Sequence, residues 1–197
     1  TLPKILGRVH PKWGVPRPAM WVNLAVSFLF LFFFRGWGTL AAVISVATVI
    51  SYITGPVSAM SLRRSAPDAR RPFRLAGMPV VAGIGFVMAT ELLYWARWPL
   101  TGEIIVLMLV ALPVYFYYQA KQGWQGFSRD LKGAAWMIAY LPTLALLSWA
   151  GSSTFGGHGY LPYGIDLLVV GAIGLAFYLW GSASGWRTPA LDRAVQG

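Results

Sequence analysis

Two carboxylates lie inside long apolar stretches of this sequence: Glu91, in MPVVAGIGFVMATELLYW, and Asp166, at the head of IDLLVVGAIGLAFYLW. An acid surrounded by hydrocarbon is costly to ionise, so an intramembrane carboxylate is by default suited to taking up and releasing a proton. Each also has a plainer reading. Glu91 falls toward the far end of its helix, near enough to one interface to reach water or to pair with Arg97. Asp166 falls in the first turn of its helix, where the positive end of the backbone dipole stabilises a carboxylate.

A second group of polar side chains is neutral. Thr48, Ser51 and Tyr52, with Thr54, sit around the middle of Thr39–Leu62 and can hydrogen-bond a ligand or water. The same hydroxyls can serve the backbone instead, because Gly55-Pro56 follows directly. Pro56 has no N–H for the Tyr52 carbonyl, and its ring crowds that carbonyl, which predicts a bend. Such a break at membrane depth is tolerated where neighbouring helices, hydroxyls or water satisfy the freed group. Thr48, Ser51 and Tyr52 are thus candidate substrate-path residues and Gly55-Pro56 a candidate kink; the plainer reading is a packing bend.

Other chemistries are poorly served. The two histidines, His10 and His158, fall in loops on opposite sides of the predicted membrane and cannot share a metal. There is no cysteine, hence no disulfide, thiolate nucleophile or thiolate metal site. With no Ser/His/Asp set and no glycine-rich phosphate loop in context, no enzyme is expected, and neither a metal nor a cofactor is called for.

The elements that must position these residues are membrane helices. The chain is 57% hydrophobic and only 11% charged, with a mean hydropathy of +0.59. Thr39–Leu62 is 24 residues without an ionisable charge, long enough to cross a hydrocarbon core of ~30 Å. Along it Ala41, Ser45, Thr48, Tyr52, Gly55 and Ala59 recur at helical spacing as a small and polar stripe. In a membrane that stripe is the one expected to meet other protein. Val43, Val46, Ile50, Ile53, Val57 and Met60 form an apolar stripe that can face lipid or a neighbouring helix. Five further spans are read at Ala19–Phe34, Met78–Trp95, Ile104–Tyr118, Gly133–Gly151 and Gly164–Gly181. In the third span, Gly83, Gly85 and Ala89 are expected to form a packing face.

Charge sets the orientation. Of sixteen Lys and Arg residues, only Arg35 and Arg97 fall on one side of this six-span plan; the other fourteen fall on the opposite side. The excess marks the cytoplasmic face and puts both ends of the chain there. The net charge of +10 therefore reports membrane topology and not nucleic-acid binding. Most tryptophans fall near predicted interfaces, Trp136 among those of the inner belt.

Two stretches carry a resemblance. LPKILGRVHPKWGVPRPAMWVN resembles the loop entering the ninth helix of amino acid permeases of the amino acid–polyamine–organocation superfamily. VISYITGPVSAMSLRR followed by PDARRPFRL resembles their tenth helix and the loop after it. The two further hairpins resemble the fourteen-helix members, the aspartate–proton symporter-like permeases among them. The resemblance implies an all-α membrane protein whose six helices correspond to helices nine to fourteen of a five-plus-five inverted-repeat transporter.

On that plan residues 1–18 are a cytoplasmic loop, 19–62 two helices of the transport core, and 63–77 a basic cytoplasmic loop. Residues 78–181 are four peripheral helices and 182–197 a cytoplasmic tail. The expected activity is proton-coupled amino acid uptake by alternating access in a bacterial plasma membrane. Its partners are the amino acid, protons, lipid and the preceding helices of the same protein, whose presence the start at Thr1 without methionine suggests. The principal substrate site would lie in those helices. The competing expectation is a complete six-helix accessory or scaffold protein without transport activity.

Overall fold

The computed structural model describes residues 7, 9–33, 36–69, 71, 75–109, 111–121, 123, 124 and 126–186. Lys4, Arg8, Phe34, Arg35, Arg70, Arg74, Arg187 and Arg193, all used in the sequence reading, lie outside these. The described elements are α1 (Arg17–Phe33), α2 (Trp37–Ser65), α3 (Met78–Trp95), α4 (Leu100–Leu109), α5 (Ala111–Lys121), α6 (Phe127–Ala150) and α7 (Ile165–Ala183), with a short 3-10 turn at Ser153–Phe155. No strand occurs among the described residues. The all-α membrane class is thus borne out. Among the described residues five stretches are long and apolar enough to cross a bilayer, Leu100–Lys121 counting as one, and Arg17–Phe33 is a shorter apolar helix.

The helices overrun their apolar cores where charges suit the helix ends. α2 continues through Arg63 and Arg64 in its last turn, and α6 starts six residues before Gly133, with Asp130 in its first turn. Cations at a C-terminus and acids at an N-terminus both complement the backbone dipole. The end of α2 is closed further by Arg71. Its guanidinium donates to the carbonyls of Ala66 (2.6 Å), Pro67 (2.9 Å), Leu62 (3.3 Å) and Ala69 (3.3 Å). Carbonyls at a helix end are left short of intrahelical donors; those of Leu62 and Ala66 also accept from the Ala66 and Ala69 N–H groups, and one arginine serves all four. The expected Ile104–Tyr118 helix is described as α4 and α5.

The chain forms two compact units, Thr1–Ser45 and Val46–Gly197. In the first, α1 buries none of its residues, and Phe28, Phe32 and Phe33 are exposed.

The second unit is organised by α3 and α7. Tyr178 stands opposite Gly83, Gly174 opposite Thr90, and Gly171 opposite Glu91, so the two helices run antiparallel. Glycine lets α7 approach its neighbours: a Cβ on Gly174 would sit 3.1 Å from the Thr90 hydroxyl of α3, and one on Gly181 only 2.8 Å from the Trp136 ring of α6. Without a hydrophobic drive between helices in lipid, close backbone approach is what packing offers. The expected packing face of α3 needs one correction. Gly83 is buried, but Gly85 is exposed and has nothing near it, because the buried face follows Ala82, Phe86, Thr90 and Leu93. Phe86, 0% exposed, is the centre of the core. Its ring meets Tyr140 at 5.5 Å, Tyr178 at 6.0 Å and Trp136 at 6.2 Å. Trp136 is thus a core residue and not a belt residue, since it is 6% exposed.

Candidate functional site

The expected site residues fall into two places. Thr48, Ser51 and Tyr52 lie on α2, on its exposed side, with Tyr52 69% exposed. The apolar stripe is the buried one: Val46, Ile50, Ile53, Val57 and Met60 all face the interior of the second unit. Within this chain the small and polar stripe therefore faces away from the other described helices of that unit. α2 runs unbroken through Gly55 and Pro56. Near them the Thr54 hydroxyl donates to the Ser51 carbonyl at 2.7 Å, so one of these polar groups is engaged by its own backbone.

Glu91 and Asp166 come to the other place, where the far end of α3 meets the start of α7. Asp166 is 0% exposed and fully engaged. Its Oδ2 accepts from the Tyr94 hydroxyl at 2.6 Å, and its Oδ1 from the backbone N–H groups of Gly164 and Leu167, each at 2.8 Å. One amide comes from Gly164, immediately before α7, and the other from Leu167 in its first turn, as expected for a carboxylate at a helix N-terminus. The Tyr94 hydroxyl in turn accepts from the Ser152 N–H at 3.2 Å. One phenol thereby ties α3, the loop after α6 and α7. A Cβ on Gly151 would collide with that hydroxyl, which explains a glycine there.

Glu91 is placed differently. One turn before Tyr94, its Oε1 lies 3.2 Å from where a Cβ on Gly171 would stand. Its Oε2 is buried and meets no hydrogen-bond partner. The expected pairing with Arg97 does not form, because Arg97 donates to the Thr154 carbonyl at 3.0 Å. Below this pair the Tyr140 hydroxyl donates to the Thr90 hydroxyl at 3.0 Å, and that hydroxyl donates to the Phe86 carbonyl at 2.9 Å.

The histidines stay apart in role as well as in sequence. The His158 ring lies 3.0 Å from the Trp149 carbonyl and against the Trp149 ring at 4.8 Å. His10 accepts from the Lys12 N–H at 3.2 Å. Among the described residues no group of acids, histidines and cysteines could hold a metal. Tyr94 and Gly171 were not singled out from the sequence. Tyr94 stands three residues after Glu91, on the same helical face, and that spacing was the available signal.

Comparison with known proteins decides the kind of molecule. Over 195 residues, 99% of the chain, it is 52% identical to the glutamate/serine transporter AimA of Bacillus subtilis. Over 197 residues it is 32% identical to the aspartate-proton symporter of the same organism. The chain is homologous to bacterial amino acid transporters. The branched-chain amino acid permease BcaP matches at 29% over 61% of the chain. This transporter-like chain covers 36% of the first relative's length and 37% of the second's. Neither a family model nor a solved structure matches it. The expected resemblance to amino acid permeases is borne out by these relatives, which are named as transporters and not as enzymes. With its apolar helices the chain is an integral, multi-pass membrane protein.

Proposed function

We propose that the chain is the C-terminal part of a secondary active amino acid transporter that takes up its substrate with protons by alternating access. The carrying observation is the 52% identity to a glutamate/serine transporter along 99% of the chain. The match to an aspartate-proton symporter supports proton coupling and a substrate among glutamate, aspartate and serine. Both ends of the chain lie in the cytoplasm and the membrane is the bacterial plasma membrane, a reading supported by the Lys and Arg asymmetry. The comparisons do not favour a free-standing six-helix scaffold.

In this reading α1 and α2 belong to the transport core, and the remaining helices brace it. The small and polar stripe of α2, with Thr48, Ser51 and Tyr52, turns toward the substrate path and the preceding helices. Pro56 lets the helix bend there. At the α3–α7 contact Asp166 is the anchor, held by three donors. Glu91 is the member suited to carrying a proton, because an ionised carboxylate with a buried oxygen lacking any donor is costly in a membrane.

The test is uptake by the full-length protein in proteoliposomes, with an inward proton gradient and labelled glutamate, aspartate or serine. Gradient-dependent accumulation of at least one is expected. Equal uptake with and without the gradient would remove the proton coupling, and no uptake of any of the three would remove the substrate reading.

A further inference from the structure

At the basic end of the second unit, α2, α3 and α7 leave a groove of about 460 Å³. Its walls are Met60 of α2, Val80 and Ile84 of α3, and Leu175 and Leu179 of α7, and Arg64 stands at its edge. The polar groups in the walls are already used. The Tyr178 hydroxyl donates to the Pro79 carbonyl at 2.8 Å, and the Ser182 hydroxyl to the Leu179 carbonyl at 3.1 Å. Arg64 is different. It is exposed, and no described residue engages its guanidinium in a hydrogen bond or ion pair. Its neighbour in sequence space, Arg71, spends its donors on the end of α2.

Among the described residues the groove offers no free hydrogen bond along its length and one cation without a hydrogen-bond or ion-pair partner, Arg64, at its end, which matches an amphiphile with a long apolar part and an anionic head. We propose that it binds an anionic phospholipid, one acyl chain along the groove and the phosphate on Arg64. In lipid the chain itself gains little by moving from one apolar setting to another. Selectivity therefore comes from the head, where one basic residue near the surface favours an anionic lipid about fivefold. Placing this lipid in the inner leaflet rests on the orientation proposed above; the binding does not.

The test uses the full-length protein in nanodiscs of equal phosphatidylglycerol and phosphatidylcholine, followed by native mass spectrometry of the lipid retained after transfer to mild detergent. The wild type is expected to retain phosphatidylglycerol about fivefold over phosphatidylcholine. Arg64→Gln should bring that ratio close to one while lipid is still retained. Val80→Trp, which fills the groove, should lose both lipids, and Leu179→Trp repeats the test if that variant does not fold. An unselective wild type, or an Arg64→Gln variant that keeps the preference, overturns the proposal. A wild type that retains neither lipid means that another segment of the full protein fills the groove, and it also overturns it. Uptake is not read in this experiment, so failure of the transport reading leaves its outcome interpretable.

Discussion

α2 and the α3–α7 pair solve opposite problems with similar materials. Both are apolar helices carrying a few hydroxyls and small residues. α3 and α7 turn theirs inward: Thr90, Tyr94 and Asp166 are buried, and the glycines of α7 bring the two backbones together. α2 turns Ser51, Tyr52 and Gly55 outward and buries valine and isoleucine instead. A polar group buried in a membrane protein needs its partner in the same fold. The α3–α7 contact has nearly all of its partners within this chain, whereas Ser51 and Tyr52 on α2 face outward. The first region is expected to govern stability and the second transport.

That division can be broken most decisively at Gly174. Gly174→Leu would push a side chain into Thr90, 3.1–3.3 Å from the missing Cβ, and should abolish the folded peak of the full-length protein in size-exclusion chromatography. Asp166→Ala would leave the Tyr94 hydroxyl and two amides without their acceptor. A loss of about 3 kcal/mol is expected, read as a lower unfolding temperature. Tyr94→Phe removes one donor from a charged acceptor and should cost about 2 kcal/mol. A Tyr94→Phe protein as stable as the wild type would mean that the hydroxyl does not tie the three segments.

Glu91→Gln sharpens the comparison from inside the buried region. It keeps the shape and removes the charge, so stability should hold to within about 0.5 kcal/mol while gradient-driven uptake falls. Unchanged dependence of uptake on the proton gradient would reduce Glu91 to packing. Tyr52→Ala is the mirror test on α2. Its unfolding temperature should hardly move, within about 0.5 kcal/mol as for exposed positions, yet uptake should drop. A large stability loss with normal uptake would reverse the assigned roles.

Much of the fold was legible because length and hydropathy determine a membrane helix almost by themselves. Met78–Trp95 begins and ends where the apolar run does. Ends were less legible, since α2 and α6 carry their helices into charged residues beyond the apolar run. The small and polar stripe of α2 was expected to meet protein, yet within this chain the apolar stripe is the buried one, because hydropathy cannot say which stripe the neighbouring helix takes. Trp136 misled for a related reason: tryptophan near an interface is ambiguous between the belt and the core until Phe86 and Gly181 are seen beside it. At the candidate site, Glu91 and Asp166 stood out as charges in apolar segments. Their different circumstances depended on a phenol, Tyr94, and a glycine, Gly171, that carry no charge signal.

The hold of Arg71 on the carbonyls after α2 has a mechanical consequence. Ala66, Pro67 and Ala69 are tied through Arg71 to Leu62 of the helix, so the start of that loop travels with α2 as one lever. A spectroscopic label at Asp68 would report the tilt of α2 itself, not the wandering of a connector. Arg71→Ala should decouple the two, broadening the label's distance distribution while the helix keeps its place.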